Sequence, residues 1–188
     1  MSQEFSALEL DLQHKMEVSL EHAKKEFSGL RTGRASTALL EPVMVEAYGS
    51  HMPLNQVASV SVPEPRLLSV SVWDKGMAKA VEKAIRDSSL GLNPVSDGTL
   101  IRVPIPPLTS ERRAELIKVA HKYAEHARVA IRNVRREGNE TLKKMEKDNA
   151  ISKDEHHKFA DLVQKMTDDF VSRVDEALRS KEAEITQV

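Results

Sequence analysis

The chain has 188 residues, with 28 Lys or Arg against 29 Asp or Glu and a formal net charge of −1. This length accommodates one long domain or two small ones, each with a core. Cysteine is absent, which excludes disulfides and thiolate metal sites and is compatible with a reducing compartment. No apolar run approaches the roughly 18 residues of a membrane span, and the N-terminal residues lack a signal-peptide core. We therefore expect a cytoplasmic protein without a membrane segment.

The first predicted element is a long helix near the N-terminus. Apolar residues recur there every three or four positions, without Pro and without Gly before Gly29. The stripe comprises Phe5, Leu8, Leu12, Met16, Leu20, Ala23, Phe27 and Leu30. Its period predicts one amphipathic helix of roughly 39 Å with a buried face.

The pattern changes period over residues 31–105. β-Branched residues are concentrated at 43–45, 57–62, 67–72 and 100–103, which predicts four or more short strands. Residues 75–88 form one amphipathic helix that Gly91 and Asn93-Pro94 bring to an end. We expect a small, strand-rich α/β domain here, inserted between the long helices.

Two chain crossings connect this insert to the helices. Thr32 and Gly33 lie on the way out, and Pro104, Pro106 and Pro107 lie on the way back. The conformational freedom of glycine in one crossing and the turns set by proline in the other favour a hinge. Ordinary loop geometry is the alternative.

Two more helices follow the insert. One stripe begins after Thr109 and predicts a helix longer than about 50 Å. Its apolar positions are Leu116, Ala120, Tyr123, Ala127, Ala130, Val134 and Met145. A third helix begins at Ser152, since Ser152 and Glu155 have capping-box spacing, and the turn before it covers only about 148–151. Gly138 is expected to weaken the second helix by about 1 kcal/mol relative to Ala.

Short connections make neighbouring helices antiparallel, so the three stripes predict a long antiparallel three-helix bundle. The predicted fold class is therefore α+β with two domains. Residues 1–30 and 106–188 would form the discontinuous bundle, and residues 31–105 the inserted domain.

The second long helix carries a dense row of arginines within the sequence ARVAIRNVRR at 127–136. On an ideal helix Arg128, Arg132 and Arg135 fall within roughly 60° of one another, and Arg136 flanks them. Residues 112–136 hold eight Lys or Arg against two Glu, whereas residues 137–188 hold nine bases and thirteen acids. Segregated charge of this kind indicates a polyanion surface, and a solvated helix face is the alternative.

The sequence carries no recognisable signature of catalysis. Residues 30–34 contain one glycine and no Lys-Ser/Thr pair, so they do not form a phosphate loop. The seven histidines form no HExxH pair, and the adjacent acids at 168–169 and 175–176 are interpreted as a solvated helix surface. We expect no catalytic residue, no metal site, no cofactor and no enzymatic activity.

Several motifs together make the chain resemble the bacterial ribosome recycling factors along essentially its full length. They are LRTGRAS at 30–36, PLNQ at 53–56, DKGM at 74–77, AVEKAI at 80–85, SDGTLIRVPIPPLTSERR at 96–113 and ARVAIRNVRR at 127–136. The resemblance implies a hinged, L-shaped molecule with a transfer-RNA-like outline. It also implies a monomer that binds the post-termination ribosome and, with elongation factor G and GTP, separates the subunits and releases the mRNA.

The resemblance also assigns roles to the basic residues. Contacts with ribosomal RNA of the large subunit would come from Arg128, Arg132, Arg135, Arg136 and Arg31, with Arg112, Arg113, Lys118 and Lys122 extending the same field. An alternative role for Arg31 is to complement the dipole of the first helix. Lys118 and Lys122 have the alternative of solvating the bundle.

A second class of function uses the same long stripes differently. A coiled-coil adaptor would bind a partner helix through them, and it would carry unsatisfied apolar surface and self-associate.

Overall fold

The computed structural model describes residues 3–30 and 32–187. Contacts among these residues group them into two compact units, one made of 3–30 and 113–187 and the other of 32–112. Within the described residues the α-helices are α1 (Gln3–Ser28), α2 (Ala78–Asp87), α3 (Ser110–Lys147) and α4 (Lys153–Thr186). None of them is long and apolar enough to cross a membrane.

The three long helices α1, α3 and α4 form a bundle, which confirms the fold class. Phe5 stacks on Phe159 with 3.8 Å between ring centroids, and Glu17 lies 3.8 Å from Arg173, so α1 and α4 run in the same direction. α3 runs antiparallel to both, because its C-terminal part packs beside the beginning of α1 and its N-terminal part beside the end of α1. At 38 residues, α3 is about 57 Å long.

The bundle core consists of two clusters of buried residues. One surrounds the Phe5–Phe159 stack and includes Leu12 and Leu142. The other joins Met16, Leu20, Ala23 and Phe27 of α1 to Ala120, Ala124, Ala127 and Ile131 of α3 and to Phe170, Val174 and Leu178 of α4. The predicted stripe on α3 was partly wrong: Ile131 is near its centre and fully buried, whereas Ala130 lies about 100° around the helix from Ile131 and is half-buried.

The junction between α3 and α4 follows the sequence prediction closely. Asn149 adopts a left-handed conformation (φ 57°) in the turn after Lys147. The Ser152 hydroxyl then accepts a hydrogen bond from the Glu155 backbone N–H at 3.1 Å. The Glu155 carboxylate accepts from the Ser152 N–H in return, which completes the predicted capping box at the start of α4.

The inserted unit contains two antiparallel sheets. A hairpin pairs β1 (Met44–Ala47) with β2 (Ser50–Pro53) across a turn in which Tyr48 and Gly49 both have positive φ. The second sheet has the order β3-β4-β6-β5, from β3 (Ala58–Glu64), β4 (Leu67–Val72), β5 (Val95–Asp97) and β6 (Leu100–Pro104). α2 contributes buried Val81 and Ile85 to the core that these sheets share.

Both crossing segments are hydrogen-bonded to the β3–β4 turn. The Ala35 N–H donates to the Pro65 carbonyl at 2.7 Å, and the Ile105 N–H donates to the Arg66 carbonyl at 2.8 Å. Contacts therefore group residues 106–112 with the inserted unit, whereas the sequence assigned them to the bundle. Of the predicted hinge residues, Pro104 lies within strand β6, while Thr32, Gly33 (φ 79°), Pro106 and Pro107 lie outside helices and strands.

The structure explains why glycine, a poor helix former, occupies position 138. It is buried on α3, and a Cβ at this position would stand 2.6 Å from Cδ1 of Leu12, which is itself completely buried on α1. The absence of a side chain therefore leaves room for the Leu12 side chain against α3. The expected weakening of the helix is compensated by this contact.

We predict that Gly138→Ala destabilises the protein although alanine is the better helix former. The gain in propensity is about 1 kcal/mol, whereas overpacking costs about 1–3 kcal/mol, so the free energy of unfolding should fall by about 1 kcal/mol. In a Leu12→Ala background the same change should raise it by about 1 kcal/mol, because the clash is gone. Urea unfolding measures the free energy in both backgrounds. An equal stabilisation by Gly138→Ala in the two backgrounds would contradict the contact with Leu12.

Candidate nucleic-acid interface

The arginine row lies on an uninterrupted stretch of α3 and borders its groove with α4. Ala127 and Ile131 of the same stretch are buried, and Arg128 and Arg135 stand about 40–100° around the helix from them, so these two arginines lie on the flank of α3 beside α4. Arg132 and Arg136 stand further outward. α4 lies alongside, because Asp175 and Gln164 contact Arg128 and Arg135 respectively.

Arg128 is the most deeply engaged member of the row. Its Nε donates to Asp175 Oδ1 at 2.8 Å, its Nη2 lies 2.6 Å from the same oxygen, and its Nη1 donates to Glu125 Oε2 at 2.9 Å. Its side chain is only 19% exposed. Burial by itself lowers the pKa of Arg128, but the hydrogen bonds to Asp175 and Glu125 outweigh burial and raise that pKa above its ordinary value.

The N-terminal half of the row carries little net charge. Nη1 of Arg132 lies 3.6 Å from Oε1 of Glu125, so Glu125 serves both arginines while Asp175 serves Arg128. Two positive and two negative groups therefore meet here. The interpretation of Asp175 as mere surface solvation was wrong, because it pairs with α3 across the groove.

The C-terminal half of the row keeps its charge. Nη1 of Arg135 donates to the Gln164 amide oxygen at 3.4 Å, which is a neutral partner. Arg136 is exposed and has no hydrogen-bond or ion-pair partner among the residues that the structure describes. These two guanidinium groups are thus the most available phosphate donors of the row.

The other predicted RNA contacts lie toward the start of α3 or before it. Lys118 and Lys122 are exposed on α3, and the Arg112 backbone N–H donates to the Thr109 hydroxyl at 3.1 Å where the helix begins. Arg113 is half-buried, and contacts assign Arg112 to the inserted unit. Arg31 lies outside the described residues. These positions extend the positive region along α3 without forming one cluster with the arginine row.

The two acids that pair with the arginine row differ in whether the sequence alone could have identified them. Glu125 stands three residues before Arg128, a spacing at which helical side chains meet, so it could have been identified from the sequence. Asp175 is 47 residues away from Arg128. Only the packing of α3 against α4 brings that pair together.

Two histidines of the bundle contact acids on neighbouring helices, whereas His22 contacts Glu26 of its own helix. His121 on α3 pairs with Glu182 on α4, and His156 on α4 pairs with Glu146 on α3. Across the described ranges, no group of three or more His, Asp or Glu is arranged to hold a metal ion. His121 and His156 therefore connect helices.

Apolar surface on the bundle is sparse. Within its described part, the exposed large apolar side chains are Leu10, Val18 and Val129. Leu10 and Val18 are two helical turns apart on α1, and Val129 lies beside the arginines on α3. These positions do not form the continuous apolar stripe that a coiled-coil adaptor requires.

Comparison with known proteins identifies close relatives. Residues 23–186 match the family model described as Ribosome recycling factor. The ribosome-recycling factor of Maricaulis maris (strain MCS10) is 57% identical over 188 residues, covering 100% of both chains. That of Rhodospirillum centenum (strain ATCC 51521 / SW) is 62% identical over 176 residues, covering 94% of this chain and 95% of the relative.

Solved structures give the same picture. A solution structure of the ribosome recycling factor is 43% identical, covers 100% of both chains and has a TM-score of 0.71. A second structure is described as models for the T. thermophilus ribosome recycling factor and the E. coli elongation factor G bound to the E. coli post-termination complex. It is 48% identical, covers 96% of this chain and 98% of that chain, and has a TM-score of 0.62.

We predict that Arg128 stabilises the bundle whereas Arg136 does not. Arg128→Ala removes an ion pair between α3 and α4 and should lower the free energy of unfolding by about 0.5–1 kcal/mol. Arg136→Ala is the matched control and should stay within about 0.5 kcal/mol of the parent. Thermal or urea unfolding compares them, and equal stabilities would show that the Arg128–Asp175 pair contributes nothing measurable.

Proposed function

This chain belongs to the ribosome recycling factor family, and we propose that it binds the post-termination ribosome together with elongation factor G. With GTP, the two factors would separate the subunits and release the mRNA, so that ribosomes are reused. The proposal is supported by relatives that match along the whole chain, and by a solved relative described together with elongation factor G on the post-termination complex. It places the protein in the cytoplasm, as a monomer that hydrolyses nothing itself.

The observation that carries the RNA contact is the uncompensated half of the arginine row. Arg135 and Arg136 project from a rigid helix with no carboxylate partner in the described structure. Guanidinium groups bind phosphate oxygens through two parallel hydrogen bonds. We propose that this half of the row contacts ribosomal RNA of the large subunit, and that Arg132, whose side chain is 44% exposed, joins it.

Phosphate contacts supply affinity and register without reading sequence. Placement on structured RNA must therefore come from the shape of the bundle and from additional contacts. Lys118 and Lys122 are proposed as such contacts on α3, and Arg112 and Arg113 as contacts where α3 begins. Arg31 remains a prediction from the resemblance.

The hydrogen bonds of the inserted unit limit which connecting residues can form the hinge. Ala35 and Ile105 are tied to the β3–β4 turn, so they move with that unit. We infer that the backbone rotates at Thr32 and Gly33 in one connecting segment and at Pro106 and Pro107 in the other. Pro104 is paired within the sheet and is expected to stay fixed.

The RNA proposal predicts a strong effect of charge reversal on α3. Arg132→Glu combined with Arg135→Glu should weaken binding to purified large ribosomal subunits at least tenfold, because phosphates then face carboxylates. The matched control is Lys158→Glu with Lys165→Glu, which changes the charge equally on exposed positions of α4 roughly 100–120° from Gln164. Co-sedimentation over a salt series measures both pairs, and wild-type affinity should fall steeply with salt.

The control pair should lose no more than about threefold in affinity, since its charges act only through the screened long-range field. Equal losses in the two double variants would mean that net charge, rather than the row, governs binding. Unchanged binding by Arg132→Glu/Arg135→Glu would contradict the RNA proposal itself.

A second prediction separates binding from recycling. Excising residues 33–108 keeps the Thr109 cap of α3, and a flexible linker of about eight Gly and Ser residues can join α1 to it, because Phe27 and Ala120 share one core cluster. The bundle should fold and compete with the intact factor for large subunits. It should fail to split post-termination ribosomes with elongation factor G and GTP, measured by light scattering, because the inserted unit transmits the GTPase action in our proposal.

Normal splitting by the excised form would show that the inserted unit is dispensable. Loss of competition by a folded bundle would place essential ribosome contacts within residues 33–108.

A further inference from the structure

Asp175 occupies one hydrogen-bonding edge of the Arg128 guanidinium. A guanidinium carries five N–H donors, and its Nε and Nη2 form one of the two edges that grip an oxyanion. Asp175 Oδ1 lies 2.8 Å from Nε and 2.6 Å from Nη2. The carboxylate therefore stands where a phosphate oxygen would bind.

The carboxylates also cancel the charge that would attract RNA to this half of the row. Glu125 and Asp175 together balance Arg128 and Arg132, whereas Arg135 and Arg136 have no acidic partner within the described ranges. A neutral cluster displaces few counterions from RNA, so it adds little to affinity while the acids stay in place.

Asp175 is free to leave. Its side chain is 43% exposed, and among the described residues it bonds only to Arg128. Water can therefore solvate the carboxylate once it turns away. Arg128, by contrast, is held by its position on α3 and by Glu125, so its free edge would remain directed into the groove.

We propose, resting on the RNA contact of the proposed function, that Asp175 is a built-in competitor for RNA phosphate at Arg128. In the free factor the carboxylate holds the Nε/Nη2 edge, and on the ribosome a phosphate replaces it. The exchange keeps affinity below what four unpaired arginines would provide. A factor that must leave the ribosome after each round benefits from such a limit.

The test compares Asp175→Asn with Glu176→Gln, which removes the same charge from the next residue of α4. Glu176 is exposed and has no ion pair or side-chain hydrogen bond among the residues that the structure describes. With purified large ribosomal subunits as the probe, Asp175→Asn should bind about threefold tighter or better. Its salt dependence should be steeper by about one in log–log slope. Glu176→Gln should stay within about twofold of the parent.

Competition by Asp175 requires Arg128, and a double-variant cycle tests this requirement. In an Arg128→Ala background, Asp175→Asn should change affinity by less than about twofold. Circular dichroism verifies that each variant is folded at the assay temperature.

Binding of Asp175→Asn that equals or falls below the parent would overturn the competition. So would a gain that persists without Arg128, because the charge would then act only at long range. Failure of the parent itself to bind large subunits would instead overturn the proposed RNA contact. The two failures are therefore distinguishable.

Discussion

The burial of one face of α3 in the bundle core is the constraint on which the candidate interface depends. Its buried residues Ala120, Ala124, Ala127 and Ile131 share one core cluster with residues of α1 and α4. A helix buried along one face holds the residues on its flank and its outer side in fixed positions. The arginines therefore need no loop to present them, and their spacing is fixed by the helix itself.

Charge on that surface is graded along the helix. Glu125 and Asp175 neutralise the part around Arg128 and give it a role in joining α3 to α4. Around Arg135 and Arg136, the described residues provide one neutral hydrogen-bond partner, the Gln164 amide, and no carboxylate partner. Exposed ion pairs contribute little stability, so the acids affect the local field more than they affect folding.

Sequence reasoning succeeded where local rules decide and failed where packing decides. The capping box at Ser152 and the bundle follow from spacing and periodicity. Strands β2 and β5 escaped prediction because Ser50–Pro53 contains no β-branched residue and Val95–Asp97 is short and exposed, so pairing rather than composition creates them. The role of Gly138 depends on Leu12, more than a hundred positions away. Asp175, the partner of Arg128 on α4, likewise could not be identified from the sequence, because only helix packing brings the two residues together.

A cryo-EM map of this factor on the large ribosomal subunit tests the central claim most directly. The account predicts that the guanidinium groups of Arg135 and Arg136 lie within hydrogen-bond distance of RNA phosphate oxygens, with α3 forming the contact surface. A map in which this face of α3 points to solvent, or packs against protein alone, would contradict it.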